Sequence, residues 1–387
     1  MLELPPLSLY IHIPWCVRKC PYCDFNSHRT PEILPEQEYV QALINDLEES
    51  LDWVQNRKIQ SIFIGGGTPS LFSADSIEKI LREVQQRIGF EKDIEITLEA
   101  NPGTAEQQKF ADFKTVGVNR LSIGVQSFDS DHLKTLGRIH DGKQSRQAID
   151  MALKAEFKRL NIDLMHGLPH QNPHSATQDL HTAINTGISH ISWYQLTLEP
   201  NTEFFSKPPP LPAEDQLADI QEVGQSLLHQ AGFRQYEVSA FALDAAACQH
   251  NINYWQFGDY LGIGAGAHGK ISLVKENTII RTQKTRQPDH YLKRYLNRDK
   301  GTTDNLRSKI QQVHADQLAL EFMMNALRLK AGVPVAFFSR RTGLSTDVIN
   351  QQVLDLRRKG LMKEDHSTLS ASELGYKFLN SLLHHFS

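Results

Sequence analysis

Three cysteines fall within eight residues, Cys16-Val-Arg-Lys-Cys20-Pro-Tyr-Cys23, directly after a short apolar run. Three thiolates on so tight a loop can each take one iron of a cubane [4Fe–4S] cluster, which leaves the fourth iron without a protein ligand. The amine and carboxylate of an amino acid can chelate that open iron. Structural zinc is the alternative. It prefers four ligands in spaced pairs, and His12 or His28 would have to complete the set. The remaining cysteine, Cys248, stands alone. A cluster of three suits a metal centre in a reducing compartment better than a disulfide framework.

Other polar residues sit where apolar runs end. Gly65-Gly66-Gly67-Thr68 follows one such run. Missing side chains there let backbone amides reach a ligand, or simply allow a tight turn. Glu99, Gln126 and Asp163 end later runs, and Arg138 follows Gln126 by twelve residues. Further on, Cys248-Gln-His250-Asn-Ile-Asn-Tyr254-Trp255 gathers an imidazole, a phenol and an indole. The imidazole of His250 is of a type that ligates metal, with Tyr254 as an alternative ligand or a hydrogen-bonding neighbour, while Cys248 is a further ligand or an inert thiol. His268, in the glycine-rich stretch 258–269, is a second candidate ligand or a hydrogen-bonding partner for a backbone carbonyl. Arg281, Lys284 and Arg286 form a basic stretch that reads as solvated surface unless an anionic ligand pairs with it. His384 and His385 read as a solvated end.

Gathering these residues requires a scaffold that brings strand ends together. Apolar, β-branched runs at 7–13, 61–64, 94–99, 120–125, 160–165 and 190–197 alternate with helical patterns at 36–56, 75–88, 104–116, 143–156 and 174–186. Val40, Leu43, Ile44, Leu47 and Leu51 repeat near the 3.6 period of a helix. Such alternation predicts a parallel sheet, and six strands rather than eight predict an incomplete barrel. Prolines at 206–212 demand a loop; a helix at 214–231 and a strand at 236–242 follow. Near residue 300 the composition turns polar. Beyond it lie helices at about 311–330, 334–342 and 345–359, a short strand pair around 361–363 and 368–370, and a last helix. This reads as a winged-helix-like module, for packing rather than DNA binding. The expected division is a core domain over 1–240, a connecting segment over 241–305 and a C-terminal domain over 306–387.

The 387 residues carry 41 basic and 45 acidic side chains, a net charge of −4, so no global field attracts nucleic acid. No run of 18 apolar residues predicts a membrane-spanning helix, and no charged leader pattern precedes Cys16. The expected location is the cytoplasm, free or peripheral at a membrane.

The C-x₃-C-x₂-C spacing resembles the signature of the radical S-adenosylmethionine (SAM) superfamily. Tyr10-Ile-His-Ile-Pro-Trp-Cys16, Tyr22, Gly65-Gly-Gly-Thr-Pro69, Glu99-Ala-Asn-Pro, Gly124-Val-Gln-Ser127, Gly137-Arg138 and Asn161-Ile-Asp-Leu164 are similar, in order, to the motifs of the anaerobic coproporphyrinogen III dehydrogenase family. That resemblance implies an α/β fold: a radical SAM partial (β/α)6 barrel with a C-terminal helical, winged-helix-like domain. It also implies a [4Fe–4S] cluster on Cys16, Cys20 and Cys23. SAM contacts are implied for Tyr10, Gly66, Glu99, Gln126, Arg138 and Asp163, with Tyr22, Gly67 and Thr68 also lining its site. Two features depart from the porphyrinogen-oxidising members. Phe25 stands where they carry a further cysteine, and 15 residues precede Cys16 where they carry a long extension. The form with Phe25 and His250-Asn-Ile-Asn-Tyr254 resembles the HemW subfamily of heme chaperones. This implies heme bound near His250 and Tyr254 and passed to acceptor hemoproteins, such as respiratory enzymes at the membrane. The alternative is oxygen-independent coproporphyrinogen III oxidation, in which SAM is cleaved to a 5′-deoxyadenosyl radical that abstracts hydrogen from a propionate arm.

Overall fold

A computed structural model describes residues 1–104, 107–296 and 308–386. Six parallel strands form its centre: β1 (Leu7–Ile13), β2 (Ile59–Gly66), β3 (Phe90–Ala100), β4 (Arg120–Gln126), β5 (Arg159–His166) and β6 (His190–Gln195). Their apolar side chains are buried on the outward face by helices α1 (Glu36–Glu49), α2 (Ala74–Arg87), α3 (Gln107–Thr115), α4 (Gly142–Lys154) and α5 (Pro173–Ile184). In α1, Val40, Leu43, Ile44 and Leu47 are buried, so the predicted periodic stripe faces the sheet. Local chemistry starts the helices where the pattern required. Asp141 and Gln144 form a capping box on α4, and Asn172 and Ser175 form one on α5.

The sheet runs well past those six strands. Its order is β12-β11-β10-β9-β1-β2-β3-β4-β5-β6-β8-β7 among the described residues, with β7 (Arg234–Glu237), β8 (Ala240–Ala242), β9 (Asp259–Ile263), β10 (His268–Leu273), β11 (Thr278–Gln283) and β12 (Lys309–Gln312). The single strand expected over 236–242 is an antiparallel pair, because the chain reverses between Glu237 and Ala240. β9 lies parallel to β1 on its free side, so the glycine-rich stretch is built into the sheet. Strands β10 to β12 then continue as antiparallel ladders. Between β8 and β9 comes a short helix, α7 (Gln249–Trp255), which follows α6 (Glu214–Gln230) in chain order.

Helix α8 (Pro288–Leu296) packs on α1, and the compositional boundary expected near 300–305 lies outside the described residues. The C-terminal region comprises α9 (Ala315–Ala326), α10 (Ala336–Thr342), α11 (Asp347–Arg358), a small ladder pairing Val333 with Leu369, and short terminal helices. Its core of Phe322, Phe338, Val353 and Leu356 also takes in Leu2, Phe257 and Ile279 from the sheet region. The rings of Phe257 and Phe322 lie 5.6 Å apart, which welds this region to the end of α7. No helix among the described residues is long and apolar enough to cross a membrane.

Candidate functional site

At the C-terminal ends of β1 to β6, where barrel enzymes gather their reacting groups, lies a cavity of about 320 Å³. Cys16, Cys20, Tyr22, Cys23, Gly66, Gly67, Thr68, Glu99, Gln126, Arg138 and Asp163 all line it. Eleven of the residues singled out from sequence therefore converge on one space.

The cysteine loop is pinned at both ends. Trp15 and Cys16 pair with His28 and Arg29 in a two-residue parallel ladder, and Cys23 N–H donates to the Cys20 carbonyl at 3.1 Å. From outside, Asn26 donates to the carbonyls of Ala265 at 2.9 Å and Arg286 at 2.8 Å. Gly67 N–H and Thr68 N–H donate to the carbonyls of Ile13 and Trp15 at 2.7 and 2.8 Å. A Cβ at Gly67 would stand 2.5 Å from the Trp15 carbonyl oxygen, so no side chain fits where the glycine run meets this loop.

None of the three thiols is in a disulfide, and each is part-exposed to the cavity. Burial pushes the Cys16 and Cys23 thiols up, against hydrogen bonds from Thr68 to the former and from the Phe25 backbone and Ser27 to the latter. Their deprotonation therefore calls for a cation, which a metal centre supplies. Among the described residues, no three His, Cys, Asp or Glu side chains converge where a single metal ion could sit. Thiols that each take a different iron need no such convergence. The zinc alternative loses one of its two candidate fourth ligands outright. His12 spends Nδ1 on the Tyr10 hydroxyl and Nε2 on the Asn26 carbonyl, both at 2.9 Å, and His28 turns Nε2 to Asn26 and Arg286.

Opposite the thiols the rim is polar. The Arg138 guanidinium donates to the Gly124 carbonyl at 2.6 Å and lies 3.6 Å from Cys20 Sγ, while its buried Nε has no hydrogen-bond partner. An unspent N–H on a buried cation facing a cavity fits an anionic ligand such as a carboxylate. Gln126 holds its backbone at φ +69°, strained for a residue with a side chain, and accepts from the Tyr194 hydroxyl at 2.8 Å. Asp163 accepts from Ser122 at 3.0 Å and Asn161 at 2.8 Å. Glu99 accepts from Gly66 N–H at 3.0 Å. Burial first, then the charge of Asp163, pushes the Glu99 carboxyl up to about 8.

A pH test follows. Because its proton is held more tightly in the folded state, Glu99 makes stability fall as pH rises from about 4.5 toward 8. Glu99→Gln removes that dependence. In ligand-free protein it should flatten the melting-temperature profile between pH 5 and 8 and raise the melting temperature at pH 8. A variant whose profile falls as steeply as the wild type's would overturn the assignment.

Comparison with known proteins adds the lineage. Residues 10–183 match the Radical SAM superfamily, and residues 313–378 match the HemN C-terminal domain. Over 387 residues the chain is 48% identical to Heme chaperone HemW of Escherichia coli, covering 100% of this chain and 99% of that protein. The HemW of Haemophilus influenzae is likewise 48% identical, with the same coverage. The chain belongs to the HemW family. A mouse mitochondrial relative, radical S-adenosyl methionine domain-containing protein 1, is 36% identical over 97% of this chain and 86% of its own. In fold, this HemW-family chain matches the solved structure of coproporphyrinogen III oxidase (HemN) from Escherichia coli. The TM-score is 0.80 at 21% identity, over 99% of this chain and 90% of that one.

Three expected site residues, Tyr10, His250 and Tyr254, are not among those that line the cavity. Tyr10 is stacked on Phe63 and bonded to His12, and burial first, then the charge of Glu99, pushes its phenol up. His250, 1% exposed, spends Nδ1 on Ser61 at 3.1 Å and Nε2 on the Tyr254 hydroxyl at 2.9 Å. Burial and the charge of Arg120 push its imidazole down to about 3. Cys248 is fully buried, donates to Glu95 at 3.4 Å, and has its thiol pushed up to about 12, chiefly by burial. It is an inert thiol. Lys284 and Arg281 correct the reading of their stretch as solvated surface. Lys284 is buried against Asp46, and Arg281 pairs with Glu321. His384 and His385 are exposed, as expected.

Tyr194, Ser122 and Asn161 were missed, although they position Gln126 and Asp163. Their signal lay in the period of two along each strand. Ser122, Gly124 and Gln126 share one face of β4, and Asn161 and Asp163 share one face of β5. Polar residues alternating within an apolar strand mark an inner face that borders a cavity.

Proposed function

We propose that this chain is a heme chaperone that carries a [4Fe–4S] cluster with exchangeable SAM and passes heme to acceptor hemoproteins. What carries the reading is the full-length match to proteins named as heme chaperones; the convergent cavity supports its cofactors. In the proposal Cys16, Cys20 and Cys23 hold the cluster, which when bound supplies a redox-active, Lewis-acidic iron. Arg138 binds the SAM carboxylate through its unspent N–H, and Glu99 and Gly66 receive the polar groups of the same ligand. Tyr22, Gly67, Thr68, Gln126 and Asp163 shape the remaining walls, and Tyr10 supports Glu99. Residues 1–240 serve the cofactors, and 241–305 carry the H-N-x-x-Y segment associated with heme. The acceptors are membrane respiratory enzymes, met from the cytoplasmic side.

His250 and Tyr254 stay in the proposal as the heme-associated pair. With both imidazole nitrogens spent, ligation through His250 requires α7 to leave its place.

The test is an anaerobic hemin titration of cluster-reconstituted protein, read in the Soret band, beside an assay with coproporphyrinogen III and reductant. Saturation near one heme per chain, with the porphyrinogen unchanged, is the expected result. Decarboxylation of the porphyrinogen without saturable heme binding would overturn the reading in favour of the oxidase.

A further inference from the structure

A second cavity, of about 530 Å³, lies over the antiparallel extension of the sheet, within the size range of small-molecule sites. Its floor is a row of cross-strand partners: His268 on β10 pairs with Gln283 on β11, which pairs with Lys309 on β12. Arg281 and Tyr260 lie beside that row, joined by a 3.0 Å hydrogen bond. The facing wall is α9, which presents Asn325, Glu321 in its pair with Arg281, and Met324, 49% exposed.

Among the described residues, the His268 imidazole has no hydrogen-bond partner and the Lys309 ammonium has no carboxylate partner, and both residues are exposed. Burial, then the charges of Arg281 and Arg286, push the His268 imidazole down, so it is neutral and able to ligate at physiological pH. The contrast with His250 is direct, since that imidazole is enclosed. Yet the two are linked through the aromatic stack. Tyr260 borders the groove, its ring lies 4.3 Å from that of Tyr254, and the Tyr254 hydroxyl meets His250.

Resting on the heme-chaperone reading, we propose that this groove is where heme docks, with His268 as its iron ligand and Lys309 facing a propionate. Met324 and Tyr260 then offer apolar surface to the macrocycle, and the His250–Tyr254 pair lies one ring behind it. A free imidazole, the soft thioether of Met324 and an ammonium with no carboxylate partner among the described residues are three chemistries that a ferric porphyrin with two carboxylates uses.

The experiment titrates hemin into the full-length, cluster-reconstituted protein and into His268→Ala, His268→Gln, Lys309→Glu and His250→Ala. Cluster iron and circular dichroism are checked in each. Either substitution of His268 should weaken binding roughly tenfold or more and move the Soret maximum. Lys309→Glu should weaken binding several-fold with the maximum unmoved, and His250→Ala, which changes the group behind Tyr254 and Tyr260, should weaken binding less than either substitution of His268. Wild-type binding in both His268 variants would overturn the groove while leaving the chaperone reading intact. So would loss of the Soret shift in His250→Ala alone, which would place the ligand on α7. Failure of the wild type to bind saturably would overturn the chaperone reading itself, and this inference with it.

Discussion

Replacing Cys16, Cys20 or Cys23 with Ser is expected to abolish cluster assembly, while Cys248→Ser leaves it intact. After anaerobic reconstitution the wild type should hold roughly four irons per chain and each loop variant close to none, with the absorbance near 400 nm lost. The reason is ligand chemistry. A hydroxyl has the shape of the thiol but is a poorer, harder ligand for iron. The fold should tolerate the loop changes, because the three thiols face a cavity and carry little packing. Their cost should stay near ±0.5 kcal/mol, as for surface positions. Cys248 is the control, buried beside Glu95 and outside the cavity. Wild-type iron content in any of the three loop variants would overturn the assignment.

Asp46→Ala is expected to cause the largest loss of stability, and to loosen the cluster loop from behind. Asp46 is fully buried and accepts from the Tyr291 hydroxyl at 2.8 Å, from Gly264 N–H at 3.1 Å and from the Lys284 ammonium. Burial alone would push Lys284 down, but Asp46 and Tyr295 outweigh it and the net shift is upward. Removing Asp46 strands that ammonium in the core, which costs about 3–5 kcal/mol. The damage then has a route to the cysteines. Gly264 precedes Ala265, whose carbonyl holds Asn26 at 2.9 Å, three residues after Cys23. Asp46→Ala should therefore lower the melting temperature by several degrees and speed cluster loss under chelator. Asp46→Ala with Lys284→Met should recover much of the stability, because no buried charge is then left alone. A double variant as unstable as the single one would overturn the ion-pair account.

Sequence determined more of the cofactor site than of the heme site. Cys16, Cys20 and Cys23 are close in the chain, so their spacing alone announces a shared ligand. The strand ends were legible because apolar period and length mark a buried parallel strand. Glu99 and Gln126 fell at one rim because parallel strands all deliver their C-terminal ends to the same side, while Asp163 lies inside β5, which runs on to His166, and reaches the cavity from the strand's inner face.

What tertiary structure decided lies mostly after residue 240. Strand β9 joins the sheet beside β1, more than 240 residues earlier in sequence, and no local pattern encodes that partner. Lys284 read as solvated because its partner, Asp46, lies on a helix at the far end of the chain. His250 looked like an open ligand because residue type reports what an imidazole can do and not whether its nitrogens are spent. Ser61 and Tyr254 spend both, and only the packing of α7 brings Ser61 to that ring. His268 was one candidate among several until the ladder set it in a row with Gln283 and Lys309, facing Met324. Local spacing fixes which groups share a loop or a strand face. Burial and long-range pairing decide which of those groups remain free to bind.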